Sequence, residues 1–284
     1  MMESWARGEG VQLHGGLSPR AVDELGARFL GDLSEVTLGA MRQVGVNLPH
    51  GLCVNLGEHY RGRLPTVARV NKAWRRLHPP ASHAPLPASW VDMLAVQLAR
   101  QGEISMAIGA LVLFDGFLRI SELTNMTAAD LLLPEDDRGG GSGAAGARVA
   151  QAKTGTNQFV SFYDPVVISY LRAKKLVAVD ANQRLFPFTP AAFNAALGQA
   201  CLALGIPVCT SHSFRHGAAA RACLLGVHPE EIRRRGRWGS LAAMDTYLQT
   251  VRATLLSTAT PAWWAPFLPK LPRWRAALAQ FSRQ

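Results

Sequence analysis

The sequence predicts a mostly helical protein with one small antiparallel β-sheet or hairpin. Two observations indicate the helices: apolar residues recur at helical spacing, and capping residues stand before proline, as at Asp164-Pro165. One observation indicates the sheet. Two runs rich in β-branched and aromatic residues, 148–152 and 158–163, flank a Lys-Thr-Gly-Thr-Asn turn. We therefore expect a helical scaffold that carries a hairpin with Lys153 at its mouth.

The first 77 residues are predicted to be helical. Ser18 begins one helix, with proline at the first helical position, and Ser34 is expected to begin another. Residues 77–89 contain four prolines and cannot continue a helix, so they form the predicted linker. A boundary near residue 85 gives an N-terminal helical domain over 1–84 and a second domain over 85–284.

The second domain is predicted to centre on an apolar helix. Helical periodicity covers 90–100 and 103–117, and the latter segment is apolar on nearly all sides, as in a buried core helix. A short strand is expected at 131–133 and a long glycine-rich loop at 134–148. Further helices are predicted to start at the caps Thr189, Ser211, His228 and Ser240, and the last of them to carry Tyr247.

Composition excludes several classes of protein. The chain has 284 residues, 48% of them hydrophobic, which is too apolar for a disordered basic tail. Its four cysteines lack the spacing of a disulfide scaffold or zinc site, so an intracellular location is expected. The longest apolar run, 106–114, is less than half a membrane span. No membrane association is predicted.

Positive charge is concentrated in two zones. The net charge is +10, and the residues after position 200 hold 11 Lys and Arg against 3 Asp and Glu. A second zone, 61–76, holds six basic residues and no acidic one. Two separate basic surfaces favour a polyanion such as nucleic acid as the partner, although a solvated face has the same composition.

Four short segments hold charged or reactive side chains that could form a functional site: GFLRISEL (116–123), AKTG (152–155), SHSFRHG (211–217) and GRWGSLAAMDTYL (236–248). Each has an ordinary explanation when taken alone. Arg119 and Glu122 are spaced for a salt bridge, and Tyr247 is typical of a core tyrosine. Taken together, the segments predict a site for a phosphate group.

The cations and donors of these segments match a phosphodiester. Two planar guanidiniums, Arg119 and Arg215, can clamp its non-bridging oxygens, and Lys153 can reach in as a third cation and proton donor. The Trp238 indole N–H can only donate a hydrogen bond, which suits a phosphate oxygen.

Two further side chains of these segments can react. His212 exchanges protons near neutral pH, and it lies on the same helix face as Arg215. The hydroxyl of Tyr247 is the candidate nucleophile.

The order and spacing of these residues resemble the tyrosine recombinases, also called phage-type integrases. The resemblance covers roughly residues 90 to 250. Arg215 precedes Trp238 by 23 residues, and Trp238 precedes Tyr247 by 9, as in the last three catalytic positions of that family. The Gly-Arg-Trp motif is more similar to that of recombinases of eukaryotic mobile elements than to that of phage enzymes. Arg237 stands where the family often has glycine, and we expect this departure to matter little.

The resemblance implies a site-specific recombinase or integrase that cleaves and rejoins DNA through a 3′-phosphotyrosine at Tyr247. Arg119 and Arg215 would hold the phosphate, Lys153 would act as the acid and His212 as the base. Trp238 would orient the phosphate, and Glu122 would position Arg119. Lys174 and Lys175 are alternatives to Lys153. The implied fold is the tyrosine recombinase catalytic fold, preceded by a small helical domain.

The same resemblance implies the partners. Double-stranded DNA would be the substrate, bound by a tetramer on paired sites with a dimer as intermediate, and no metal or other cofactor is expected. The N-terminal domain would clamp the duplex through Arg69, Lys72, Arg75 and Arg76. The DNA-associated protein would be nuclear in a eukaryotic host. The tail with Trp263, Trp264 and Trp274 is expected to dock on a neighbouring protomer or to pack on its own domain.

Two other functions stay open at this stage. The first is a catalytically retired DNA-binding protein derived from a mobile element. The second is a type IB topoisomerase-like enzyme, which shares the two arginines, the lysine and the tyrosine. Covalent adduct formation on DNA separates the first from a recombinase, and a requirement for paired sites separates the second.

Overall fold

The computed structural model of the protein describes residues 1–37, 41–78, 83–136, 145–152, 155–278 and 280. The chain divides into two compact units, Met1–Ser82 and His83–Gln284. Each unit has its own hydrophobic core. The assignment of the first unit to DNA clamping and of the second to catalysis stays a prediction.

The first unit is helical. Its helices are α1 (Met2–Gly8), α2 (Pro19–Thr37), α3 (Arg42–Leu56) and α4 (Pro65–Leu77). Ser18 begins α2 as predicted, because its Oγ accepts a hydrogen bond from the Ala21 N–H at 3.2 Å. The prediction that Ser34 begins a helix is wrong. Ser34 lies inside α2, where its hydroxyl donates to the Gly31 carbonyl at 2.9 Å, a bond that helix interiors tolerate.

Helix α4 presents one apolar face and one basic face. Val67, Asn71 and Trp74 are buried, one helical turn apart. The start of the helix is fixed by the buried Asp23 carboxylate of α2, which accepts the Thr66 and Val67 N–H groups at 2.8 Å each. The residues predicted to contact DNA lie exposed on α4: Arg69, Lys72, Arg75 and Arg76.

The second unit is built around a central helix. Its helices are α5 (Ala88–Arg100), α6 (Ile104–Asp115), α7 (Ile120–Thr124), α8 (Pro165–Val177), α9 (Pro190–Leu204), α10 (Ser211–Leu224), α11 (Pro229–Gly236), α12 (Leu241–Asp245), α13 (Thr250–Thr258) and α14 (Leu271–Leu278). Every residue from Met106 to Phe114 of α6 is buried, as predicted, and α6 packs against α5, α8 and α10. In the described residues, no helix has both the length and the apolarity to cross a bilayer.

One antiparallel sheet completes the second unit. It consists of β1 (Leu131–Leu132), β2 (Ala145–Ala152) and β3 (Gly155–Phe162), in the order β1-β2-β3. The fold class, mostly α with a small antiparallel sheet, is confirmed. The predicted glycine-rich loop is wrong at its end: residues 145–148 pair with β1 and β3, because Ala145 and Ala147 are buried in the core.

The C-terminal tail packs on its own unit. Trp264 is buried, and its indole N–H donates to the Leu204 carbonyl at 3.1 Å. Arg275 of α14 forms ion pairs with Asp92 and Asp164. Of the two arrangements predicted for the tail, the structure has the second, and docking on a neighbouring protomer stays a prediction.

Candidate active site

Helix α10 carries the central side chains of the site. Thr210, in an extended conformation, is the residue before the first turn, so the prediction that Ser211 caps this helix is wrong. Ser211 is the first helical residue, and its backbone N–H is satisfied by the Asn194 side-chain oxygen at 2.9 Å. His212 therefore lies in the first turn, with Arg215 three residues further on the same face.

Arg215 is fully buried at the centre of the site. Its Nη1 and Nη2 donate to the backbone carbonyls of Phe117, after α6, and of Gly236, at the end of α11. The guanidinium carbon lies 4.6 Å from the Trp238 ring centroid and 5.7 Å from that of Tyr247. Two backbone turns thus fix the guanidinium against both aromatic rings.

Arg119 and Glu122 form the predicted pair at the start of α7. Arg119 Nη1 donates to Glu122 Oε1 at 2.6 Å, and the Arg119 backbone N–H donates to Oε2 at 2.9 Å. The Glu122 side chain is 2% exposed and that of Arg119 is 15% exposed. Glu122 consequently fixes both the backbone and the side chain of Arg119.

Arg237 is a member of the site that the sequence prediction did not include. It ends α11 in the left-handed conformation, at φ 55°, and its Nη2 donates to Glu122 Oε2 at 2.5 Å. Glu122 therefore bridges two arginines that are 118 positions apart in the chain. The sequence does contain a signal for Arg237. Arginine directly follows Gly236 at the end of a helix, a position where glycine is the most common residue.

Arg119, Arg215 and Arg237, which we call the arginine cluster, carry more positive charge than the Glu122 carboxylate neutralises. Burial lowers the pKa of Arg215, and the charges of Arg119 and Arg237 lower it further. Burial also lowers the pKa of Arg237. Within the described part of the chain, Arg215 Nε and Trp238 Nε1 are buried without a hydrogen-bond partner. A bound anion would stabilise these guanidiniums and accept these hydrogen bonds.

Tyr247 lies in the turn after α12. The prediction that a helix carries Tyr247 is wrong, because α12 ends at Asp245, although Ser240 caps its start as predicted. The Tyr247 N–H donates to the Met244 carbonyl at 2.7 Å, which closes the turn. The half-buried Tyr247 ring lies 4.9 Å from Trp238 and 6.2 Å from His212, between ring centroids.

His216 is a second residue missed from the sequence. Its ring stacks on Tyr247, with centroids 4.4 Å apart, and its Nδ1 lies 3.1 Å from Gln249 Nε2. Burial lowers the pKa of His216 to about 4, with smaller electrostatic effects from His212, His83, Arg215 and Arg252. His216 is therefore neutral at pH 7, and its uncharged ring supports the tyrosine. The sequence signal is a histidine directly after Arg215.

The C-terminal end of the predicted linker reaches the site. The Leu86 N–H donates to the Ser213 carbonyl of α10 at 3.3 Å, and Leu86 is buried. His83 Nδ1 lies 3.1 Å from Thr210 Oγ1, and its ring centroid is 5.0 Å from that of His212. Residues 83–87 thus cover the start of α10 and add a third histidine beside His212 and His216.

The lysine of the predicted site is Lys153, with Lys174 and Lys175 as its alternatives. Lys153 lies outside the described residues. Of its alternatives, Lys175 donates to Asp136 at 2.5 Å and to the Leu131 carbonyl at 2.8 Å. Lys174 lies 5.5 Å from the Tyr170 ring centroid. Lys174 is thus held against α8 and Lys175 against β1 and Asp136, so neither lysine lies in the arginine cluster.

Comparison with known proteins supports the fold. No protein-family model matches the sequence, and a search of curated proteins returned no match. The chain is similar to a solved structure of a Tn1549 transposon integrase variant in complex with a circular intermediate DNA. The TM-score is 0.51 at 14% identity, over 88% of each chain.

Two recombinases are among the other similar structures. XerA recombinase has a TM-score of 0.46 at 18% identity, over 92% of this chain and 96% of its own. XerH site-specific recombinase, bound to its difH substrate, has a TM-score of 0.46 at 12% identity, over 86% of this chain and 79% of its own. The predicted tyrosine recombinase fold is confirmed by the likeness to the integrase.

Gly217→Ala should destabilise the second unit. A Cβ at this position of α10 would overlap the Leu86 carbonyl oxygen and lie 2.8 Å from the Leu86 nitrogen. We expect a loss of about 1–3 kcal/mol in the free energy of unfolding, measured by urea denaturation. Gly198→Ala in α9, where the nearest atom is 3.9 Å away, is the control. It should stabilise by about 0.5–1 kcal/mol, and equal stability of the two variants would contradict the close packing of Gly217 on Leu86.

His216 should make the folded protein less stable in acid. Because the pKa of His216 is lowered to about 4 in the folded state, the unfolded chain binds more protons between pH 6.5 and 4. Stability should therefore fall as the pH falls through this window. Urea unfolding at pH 7 and pH 5 should show a smaller loss for His216→Gln than for wild type. An equal loss in both proteins would show that His216 is not protonated on unfolding.

Proposed function

We propose that the protein is a tyrosine-type DNA strand transferase, a recombinase or integrase that cleaves and rejoins duplex DNA through Tyr247. The observation that carries the proposal is the placement of the tyrosine. Its ring lies 5.7 Å from the guanidinium of the buried Arg215, inside a cluster whose positive charges outnumber its carboxylates. A nucleophile beside a cluster of groups that can bind an anion is what phosphoryl transfer requires.

The phosphate would be held by Arg119, Arg215 and Trp238. Arg215 Nε and Trp238 Nε1 supply buried donors, and the partly exposed Arg119 supplies further N–H groups. In phosphoryl transfer, negative charge spreads over the oxygens around phosphorus in the transition state. Donors that the fold already holds in place stabilise that charge without reorganisation, which is usually the largest single catalytic contribution.

The reaction exchanges one phosphoester for another. The Tyr247 hydroxyl oxygen attacks phosphorus, and the bond from phosphorus to the 5′ oxygen of DNA breaks, which leaves a 3′-phosphotyrosine. His212, whose ring is 6.2 Å from that of Tyr247, accepts the tyrosine proton, and Lys153 gives a proton to the leaving 5′ oxygen. The reverse steps reseal the strand, since both phosphoesters have similar energy.

Duplex DNA is the proposed partner. The solved integrase structure that this chain resembles is a complex with DNA. The exposed basic face of α4 supports contacts to the DNA backbone, because arginine and lysine displace condensed counterions from phosphates. We propose that a tetramer on paired sites, with a dimer as intermediate, carries out strand exchange.

Tyr247→Phe should bind DNA and form no covalent adduct, because it keeps the ring and loses only the nucleophilic oxygen. The assay is incubation with a nicked suicide duplex, followed by denaturing electrophoresis and mass spectrometry of the adduct peptide. Tyr163→Phe, which changes an exposed tyrosine, is the matched control and should form adduct like wild type. A covalent adduct with Tyr247→Phe would show that another residue is the nucleophile. A wild-type protein that shifts DNA without adduct would be a binding protein only.

Removing the basic face of α4 should weaken DNA binding and reduce its dependence on salt. With Arg69, Lys72, Arg75 and Arg76 all changed to alanine, the slope of log K against log salt should fall by up to about 3.6, at about 0.9 for each phosphate that is no longer neutralised. The control removes Arg20 and Arg28, which are exposed in the same unit and paired with Glu24 and Glu9. An unchanged slope in the quadruple variant would exclude α4 from the interface.

A further inference from the structure

Arg237 is an unexpected residue at its position. Its side chain is 4% exposed, and burial of a guanidinium is unfavourable unless charged partners surround it. Its backbone is left-handed, at φ 55°, where glycine is favoured over residues with a Cβ. Two unfavourable features at one residue point to a role beyond closing the helix.

The ion pair of Arg237 with Glu122 completes the coordination of that carboxylate. Oε1 accepts Arg119 Nη1, while Oε2 accepts both the Arg119 backbone N–H and Arg237 Nη2. Because Glu122 is shared, Arg119 receives only part of its negative charge. The Arg119 side chain uses one of its five N–H donors in this pair and keeps others for an anion.

Arg237 also changes the charge of the cluster. With Arg119, Arg215 and Glu122 alone, one formal positive charge would remain. Arg237 adds a second, and together with Arg119 it lowers the pKa of Arg215, after the larger effect of burial. A phosphodiester carries one negative charge, and the attacking Tyr247 oxygen, which loses its proton, brings further negative charge to the oxygens around phosphorus in the transition state. The additional charge therefore favours the transition state over the bound substrate.

We propose that Arg237 is a positioning residue of the phosphate site: it holds Oε2 of Glu122, leaves Arg119 free to bind the phosphate, and supplies the second positive charge of the cluster. The inference rests on the proposed function, because the phosphate is that of the cleaved DNA. Arg237 acts through Glu122 and does not itself need to touch the substrate.

The decisive variant is Arg237→Gly, which removes the guanidinium and relieves the left-handed backbone. The fold should survive, with an unfolding temperature equal to or above that of wild type. At saturating nicked suicide duplex, the single-turnover rate of adduct formation should fall about 100-fold or more, as when one donor to a developing oxyanion is removed. Arg234→Ala, an exposed arginine of α11, is the matched control and should keep the wild-type rate. Arg237→Gly with a wild-type rate would overturn the inference.

Two further measurements separate the possible causes of a lower rate. If Arg237 acts through Glu122, the double variant Glu122→Gln/Arg237→Gly should form adduct no more slowly than the slower of the two single variants. A double variant whose loss of rate equals the product of the two single losses would show that Arg237 does not act through Glu122. The second measurement is the thermal shift given by inorganic phosphate at constant ionic strength. It should be smaller for Arg237→Gly than for Arg234→Ala.

The phosphate measurement also separates this inference from the proposed function. If wild type forms no adduct but the phosphate shifts differ as expected, the proposed function fails and Arg237 remains part of an anion site. If wild type forms no adduct and the two phosphate shifts are equal, both fail.

Discussion

A buried carboxylate shared by two arginines, next to a third arginine, is the interaction on which the candidate site depends. Glu122 binds Arg119 and Arg237, and Arg215 is pinned by the Phe117 and Gly236 carbonyls. A buried ion pair is stabilising only if hydrogen bonds satisfy its charges, and each uncompensated ion costs several kcal/mol. This cluster keeps more cations than anions, so the unit holds an unfavourable electrostatic arrangement that an anion would relieve.

The surrounding fold makes this arrangement possible by bringing two unusual turns together. Phe117, after α6, and Arg237, after α11, are non-glycine residues with positive φ, at 52° and 55°. The carbonyls that hold Arg215 belong to Phe117 itself and to Gly236. Gly236 must be a glycine, because a Cβ there would overlap the Trp238 ring. Close packing of that ring over the helix end therefore places the indole against Arg215 and Tyr247.

Local sequence patterns predicted most of the elements. Proline after a capping residue marked the starts of α2, α8 and α9, and continuous apolar composition marked α6. The errors are also local. Serine often caps helices, but Ser34 lies inside α2. Tyr247 follows α12 in a turn, and the spacing of apolar residues does not reveal that turn. The order of arginines, histidine and tyrosine predicted a cluster because a resemblance supplied the three-dimensional arrangement.

The residues that the sequence did not identify depend on packing between distant segments. Arg237 meets Glu122 across 115 positions, and His83 meets Thr210 across 127. No periodicity or spacing rule relates such pairs. His216 directly follows Arg215, a predicted site residue, in the sequence. Its stacking on Tyr247 nevertheless depends on contact between α10 and the turn after α12, which the sequence does not reveal. Tertiary packing decided which polar residues entered the site and which, like Lys175, joined other ion pairs.

In the proposed mechanism, the guanidiniums of Arg119 and Arg215 and the hydroxyl of Tyr247 surround a single phosphate of DNA. The most direct measurement is a crystal structure of the wild-type chain with a nicked duplex and orthovanadate, which mimics the phosphoryl group in its transition state. We expect vanadium bonded to the Tyr247 oxygen, with Arg119 and Arg215 N–H groups donating to the vanadate oxygens. Vanadate bound elsewhere, or bound here with the Tyr247 hydroxyl pointing away from it, would show that these residues do not form a site for phosphoryl transfer.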